Sequence, residues 1–245
     1  KRCPVCEKRH CKEVHSNCDP IPASGKIKAS ANTMYNTMKN TYPDGPETFA
    51  FSDFENLLRT NGHNENSIGL SYYSDEEVYR LRELKTGNSP TSVKVTIFTT
   101  TVATIHNHPN GTPPSGIDFL NTAKWVSDNN VYSTTYVYTT NGNYALYIED
   151  VQKAKLFYSK YSNCLSDTET KMFKAESDLD KKWESIYKEL KGLSDTDRHM
   201  MSLAELAEQT NSGIRILKSE PSSSNSFGLY YTQTIDDKII PYNCK

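Results

Sequence analysis

The chain has 245 residues, with 28 Lys+Arg against 30 Asp+Glu for a net charge of -2, and 36% hydrophobic residues. That length suits one large domain or two small ones, and it buries a core without metal or disulfide staples. Near-neutral charge offers no global pull on nucleic acid or anionic membrane, no apolar run reaches the ~18–20 residues of a membrane span, and 11% aromatics with a mean hydropathy of -0.70 speak for a packed but polar fold.

Residues 1–30 read as a weakly periodic arm rich in Cys, Pro and Lys. Cys3, Cys6, Cys11 and Cys18 crowd into it, while Cys164 and Cys244 lie far away. One reading is a second metal site, because Cys3-x2-Cys6 has zinc-knuckle spacing and His10 and His15 are close. The other is a disulfide-tied arm of an exported protein, with Cys244 stapling a tail. The run from Cys6 through Cys11 to Cys18 forms no standard second zinc pair, and the total of six cysteines is even. Disulfides are therefore preferred, and with them an extracytoplasmic, secreted or cell-surface location. The first residue is Lys1 rather than Met, as removal of a leader or trimming would leave it, and a lipid anchor is compatible with this reading.

A short helix is predicted over 29–40, stopped by Pro43-Asp44-Gly45-Pro46, and a second over 54–58, stopped near Asn61-Gly62. Strands follow at 67–73 and 78–84. The β-branched run 92–105 is too long for one ordinary strand and calls for a turn or bend within it. A helix over 119–130 places Phe119, Leu120, Ala123 and Val126 on one face. Asn141-Gly142 is the strongest hairpin signal, between strands 132–140 and 144–148. From 151 to about 210 the pattern is helical and charged, ending near Gly213, and two closing strands occupy 214–218 and 229–234. The expected organisation is an arm at 1–45, a core at 46–150, and a helical extension with closing strands at 151–245 packed on that core. The fold class is α/β, a mixed β-sheet flanked by helices, with an α-helical C-terminal appendage and a short β tail.

One stretch carries chemistry: His106-Asn107-His108-Pro109, a Gly/Pro loop, then Ser115-Gly116-Ile117-Asp118 opening a helix. Residues two apart on a strand share a face, so both imidazoles turn to one point, and Asp118 in the first helical turn faces back to it. Two imidazoles and a carboxylate leave a fourth position for water, the arrangement of catalytic zinc, which acidifies that water and polarises a carbonyl. Ser115-x-x-Asp118 is also a helix capping box with Asp in place of Glu or Gln.

These residues resemble the JAMM/MPN+ zinc metallopeptidase signature, His-x-His-Pro followed by Ser-x-x-Asp, and the His-Asn-His-Pro-x-Gly wording is similar to the RadC-related and bacterial branches. The resemblance covers about 51–150. Nine residues separate His108 from Asp118, where the family commonly has ten. It implies a cytidine-deaminase-like, JAMM-type sheet and a Zn2+ ion on His106, His108 and Asp118. It further implies that Ser115 hydrogen-bonds the developing oxyanion and that a glutamate on an earlier strand is the base. Glu65, forty-one positions before His106 and near Gly69, fits that glutamate best. Glu47 and Glu55 are runners-up, and Glu76 and Glu77 read as solvated turn charges.

The implied activity is hydrolysis of peptide or isopeptide bonds in a peptide or protein substrate by metal-activated water. The alternative is a catalytically inactive JAMM-fold binding module of an exported protein. A nucleic-acid role by analogy with RadC is disfavoured by the net charge and the lack of a basic stripe. Trp125 and Trp183 read as core, His63 as a loop residue, His199 as a helical residue with no visible partner, and Asn110-Gly111-Thr112 as a chance sequon, since a glycan there would obstruct the site.

Overall fold

One eight-stranded sheet, in the order β2-β1-β3-β4-β5-β6-β7-β8, organises the protein. The structure, a computed structural model, describes residues 24–41, 49–60, 63–166, 172–220 and 226–244. Its strands are β1 Asn66–Tyr73, β2 Val78–Thr86, β3 Thr101–Asn107, β4 Thr134–Thr139, β5 Gly142–Ile148, β6 Ile214–Ser219, β7 Gly228–Ile235 and β8 Lys238–Cys244. Its helices are α1 Ser24–Asn40, α2 Phe51–Thr60, α3 Gly116–Asp128, α4 Val151–Tyr161, α5 Asp178–Glu189 and α6 Asp195–Gln209. The class is mixed α/β. All strand pairs are antiparallel except β3–β4, which is parallel.

A parallel pair needs a crossover, and α3 supplies it between β3 and β4. The loop leaving β3 therefore gathers at the C-terminal ends of two adjacent central strands. Both faces of the sheet are covered, which is why all seven residues of β3 are buried. Tyr35 and Met38 of α1 and Phe51 and Phe54 of α2 pack with Ala103 and Ile105 in one core cluster. Phe119 and Val126 of α3 join Phe157, Trp183, Met200 and Leu203 of the later helices in the other.

The β-branched run divides as expected: 93–98 is irregular, a turn occupies 99–100, and β3 begins at Thr101. The Asn141-Gly142 hairpin also forms, with Thr139 paired to Gly142. Other boundaries differ. Helix α1 begins at Ser24, five residues ahead of the predicted start. The C-terminal β segment contains three strands, not two, and they extend the central sheet through β5–β6 rather than forming a separate tail. The missed strand, β8, carries Pro241, which argues against a central strand; as the sheet edge it tolerates a residue without an N–H.

Trp183 is core, but Trp125, also expected there, is only partly buried. Cys3, Cys6, Cys11 and Cys18 lie outside the described residues. Cys164 is a free, buried thiol and leaves the disulfide set, whereas Cys244 is buried at the end of β8 and is not a free cysteine. No described helix is long and apolar enough to cross a membrane.

Candidate metal centre

Three side chains converge where β3 hands over to α3. His106 is in the last turn of the strand's pleat, and His108 lies just beyond it, its N–H donating to the Tyr138 carbonyl of β4 at 2.9 Å. His106 Nε2 is 3.1 Å from His108 Nε2 and 3.1 Å from Asp118 Oδ1, and His108 Nε2 is 3.5 Å from Asp118 Oδ2. The three are buried, their ligand atoms lie within 4.8 Å of one another, and the group can hold a metal ion. The nine-residue spacing does not prevent convergence, because His106 sits on β3, His108 is tied to β4 by its backbone hydrogen bond, and Asp118 is in the first turn of α3.

The donor chemistry fits a divalent cation. His108 Nδ1 faces the Thr112 carbonyl at 3.0 Å; a carbonyl only accepts, so Nδ1 carries the proton and Nε2 offers its lone pair to the triad. Burial alone would raise the Asp118 pKa, but the charges of His106 and His108, with the His106 hydrogen bond and the Ser115 N–H, hold it well below the usual carboxylate range. Burial would lower His106, yet the charge and hydrogen bond of Asp118, with Glu65 adding its charge, raise it. For His108 burial prevails and the pKa falls, despite the Asp118 charge. Buried carboxylates need positive charge beside them, and a cation at this point would supply it. His106 Nδ1 is buried without a hydrogen-bond partner.

Glu65 joins the triad. It precedes β1, is 7% exposed, and its Oε1 lies 3.8 Å from His108 Nε2. Its backbone is pinned on both sides: its N–H donates to Ser89 O at 3.0 Å and its carbonyl accepts from Gly87 N at 2.7 Å. The runners-up are not brought in. Glu55 sits on α2, Glu76 and Glu77 are exposed in the β1–β2 turn, and Glu47 lies outside the described residues. His63 is exposed, as expected of a loop residue.

Ser115 is the N-cap of α3, and the full capping box is present. Its Oγ donates to Asp118 Oδ2 at 2.8 Å and accepts from Asp118 N at 3.1 Å, and its N–H donates to Asp118 Oδ2 at 2.7 Å. The capping role and a place at the metal centre thus coincide in one residue, and the cap itself fixes the rotamer of Asp118.

Glu65, Ser115 and the triad line a cavity of about 400 Å³, walled by Thr91, Val93 and Val95 on one side and Asn121, Lys124 and Trp125 of α3 on the other. Trp125 is seven residues after Asp118, two helical turns along the same face. That periodicity was the available signal for a cleft residue. Asn107, between the histidines, also escaped notice as an isolated residue: its Oδ1 accepts from Asn66 N at 2.6 Å and its Nδ2 donates to Asn64 O at 3.3 Å, bracketing Glu65.

In comparison with known proteins, no family model, no curated protein and no solved structure matches the chain.

Proposed function

We propose that the chain is a zinc-dependent hydrolase of peptide or isopeptide bonds, built on a JAMM/MPN+-type core within its mixed sheet. The observation that carries this reading is Glu65, whose carboxylate stands 3.8 Å from His108 Nε2 in the cavity that also contains His106, Asp118 and Ser115. A His-x-His pair at the end of a strand, a helix-borne Asp and a parallel strand after the crossover support the same reading.

His106, His108 and Asp118 would hold Zn2+, which supplies Lewis acidity to water and to a carbonyl. Glu65 would take a proton from water and return it to the leaving amine. The Ser115 hydroxyl borders the cavity and would donate to a carbonyl oxygen gaining charge, exchanging its bond to Asp118 for that contact. The walls of α3 and of 91–95 would seat an extended peptide or protein segment.

That Cys244 is not a free thiol, unlike the equally buried Cys164, supports a disulfide to the N-terminal arm, and with it an exported protein acting on exported proteins or cell-wall peptides. Alkylation with and without reductant tests the disulfide by mass. The activity is tested with E65Q against a mixture of quenched fluorescent peptides. Loss of hydrolysis with zinc retained is the expected result. Full activity in E65Q rejects Glu65 as the base, and zinc-loaded wild type that cleaves nothing in the mixture or in isopeptide-linked substrates favours the inactive binding module.

A further inference from the structure

His199 is half-buried on α6, far along the chain from the proposed metal ligands, and the proposed chemistry does not use it. Its Nε2 lies 2.8 Å from the Pro114 carbonyl. A carbonyl only accepts, so Nε2 carries the hydrogen. Pro114 O and Ser115 N belong to one peptide unit, and that Ser115 N–H donates to Asp118 Oδ2 at 2.7 Å. A single planar amide therefore links His199 at one end to Asp118 at the other.

We infer that His199 is a positioning residue for the metal centre: it orients the Pro114–Ser115 peptide and, through it, the carboxylate of Asp118. The inference rests on the reading of Asp118 as a metal ligand. Hydrogen bonds in series polarise one another, so the His199 bond strengthens the N–H that Asp118 receives. The imidazole is itself fixed: its ring meets Trp183 edge-on at 5.1 Å, and Trp183 in turn meets Phe173 at 6.3 Å. Burial keeps it neutral, pushing its pKa down to about 4. The same support reaches Gly116, because an added Cβ there would lie 3.0 Å from the Phe173 ring. Trp183 of α5, His199 of α6 and Phe173 thus brace the Pro114–Ser115 peptide that opens α3.

The test uses the full chain and two near-isosteric variants. In H199Q the amide nitrogen takes the place of Nε2, whereas in H199N it stops short of the Pro114 carbonyl. Zn2+ affinity is measured by competition with a chromophoric chelator, and exchange of the Ser115 amide is followed by NMR in metal-free protein. H199N is expected to bind zinc about 10- to 100-fold more weakly than wild type, with faster Ser115 exchange, and H199Q is expected to restore both to within about threefold of wild type. Equal zinc affinities in the two variants overturn the inference, as does failure of both to fold, which would make His199 a structural residue only. A wild type that binds no zinc rejects the metal reading instead; the Ser115 exchange contrast then decides whether His199 sets this peptide.

Discussion

The side chain of Asn107 reaches from β3 to the start of β1 and accepts from the Asn66 N–H at 2.6 Å. With its second bond to Asn64 O it clamps the residues on both sides of Glu65, so the strand that carries the histidines also sets the carboxylate. Replacing Asn107 with Ala leaves the buried Asn66 N–H without this acceptor, at a cost of about 1–3 kcal/mol. The expected result is a lower urea midpoint and reduced hydrolysis with zinc content unchanged, since His106 and His108 keep their strand and β4 contacts. Denaturation and elemental analysis of N107A check it.

Gly116 opens α3 against the backbone of Met172, and a Cβ there would stand 1.7 Å from the Met172 carbonyl oxygen. Backbone cannot swing aside as a side chain does. G116A is therefore expected to lose about 1–3 kcal/mol or to displace the segment that contacts it, and its thermal unfolding midpoint should fall while G192A, where the added Cβ has open space but φ is +107°, reports the separate cost of a positive φ.

His199 makes stability depend on acid. Folded, it stays neutral down to about pH 4, while the unfolded chain protonates an ordinary histidine near 6.5. Between those values the unfolded state binds more protons. The contribution is fully present above 6.5 and is lost as pH falls toward 4. H199Q should flatten the stability profile in that window by up to about 1.4 kcal/mol per pH unit, measured as urea unfolding of metal-free wild type and variant across pH.

Much of the site was legible because its ligands sit on elements with fixed periods. His106 ends a strand with His108 two residues on, and Asp118 is in the first turn of the next helix, so the three fall at one junction and approach to 3.1 Å. Glu65 required the resemblance, because nothing local links an exposed-looking Asn-Glu-Asn to a strand forty-one residues on. What tied them together is long-range pairing, Ser67 opposite His106, which composition does not encode. His199 was opaque for the same reason: its partner is a backbone carbonyl 85 residues away. Strand β8 was hidden by Pro241, and Trp125 by an apolar helix face that continues into the cleft wall.

Trp125 offers a flat apolar wall two turns beyond Asp118, its ring edge-on to Tyr132 at 5.5 Å. Truncation to Ala would remove contact surface for the proposed substrate without touching a proposed metal ligand. W125A is expected to raise KM several-fold more than it lowers kcat and to leave zinc content at the wild-type value; steady-state kinetics on a cleaved peptide, with elemental analysis, distinguish this from a general loss of folding.

On the proposed reading, His106, His108 and Asp118 hold zinc. The measurement that tests it most directly is the zinc content per chain of wild type beside the double variant H106A/H108A, each purified and dialysed identically, so that any zinc held by the cysteine-rich arm cancels. A difference of about one zinc per chain is expected. Equal zinc in the two proteins would contradict it.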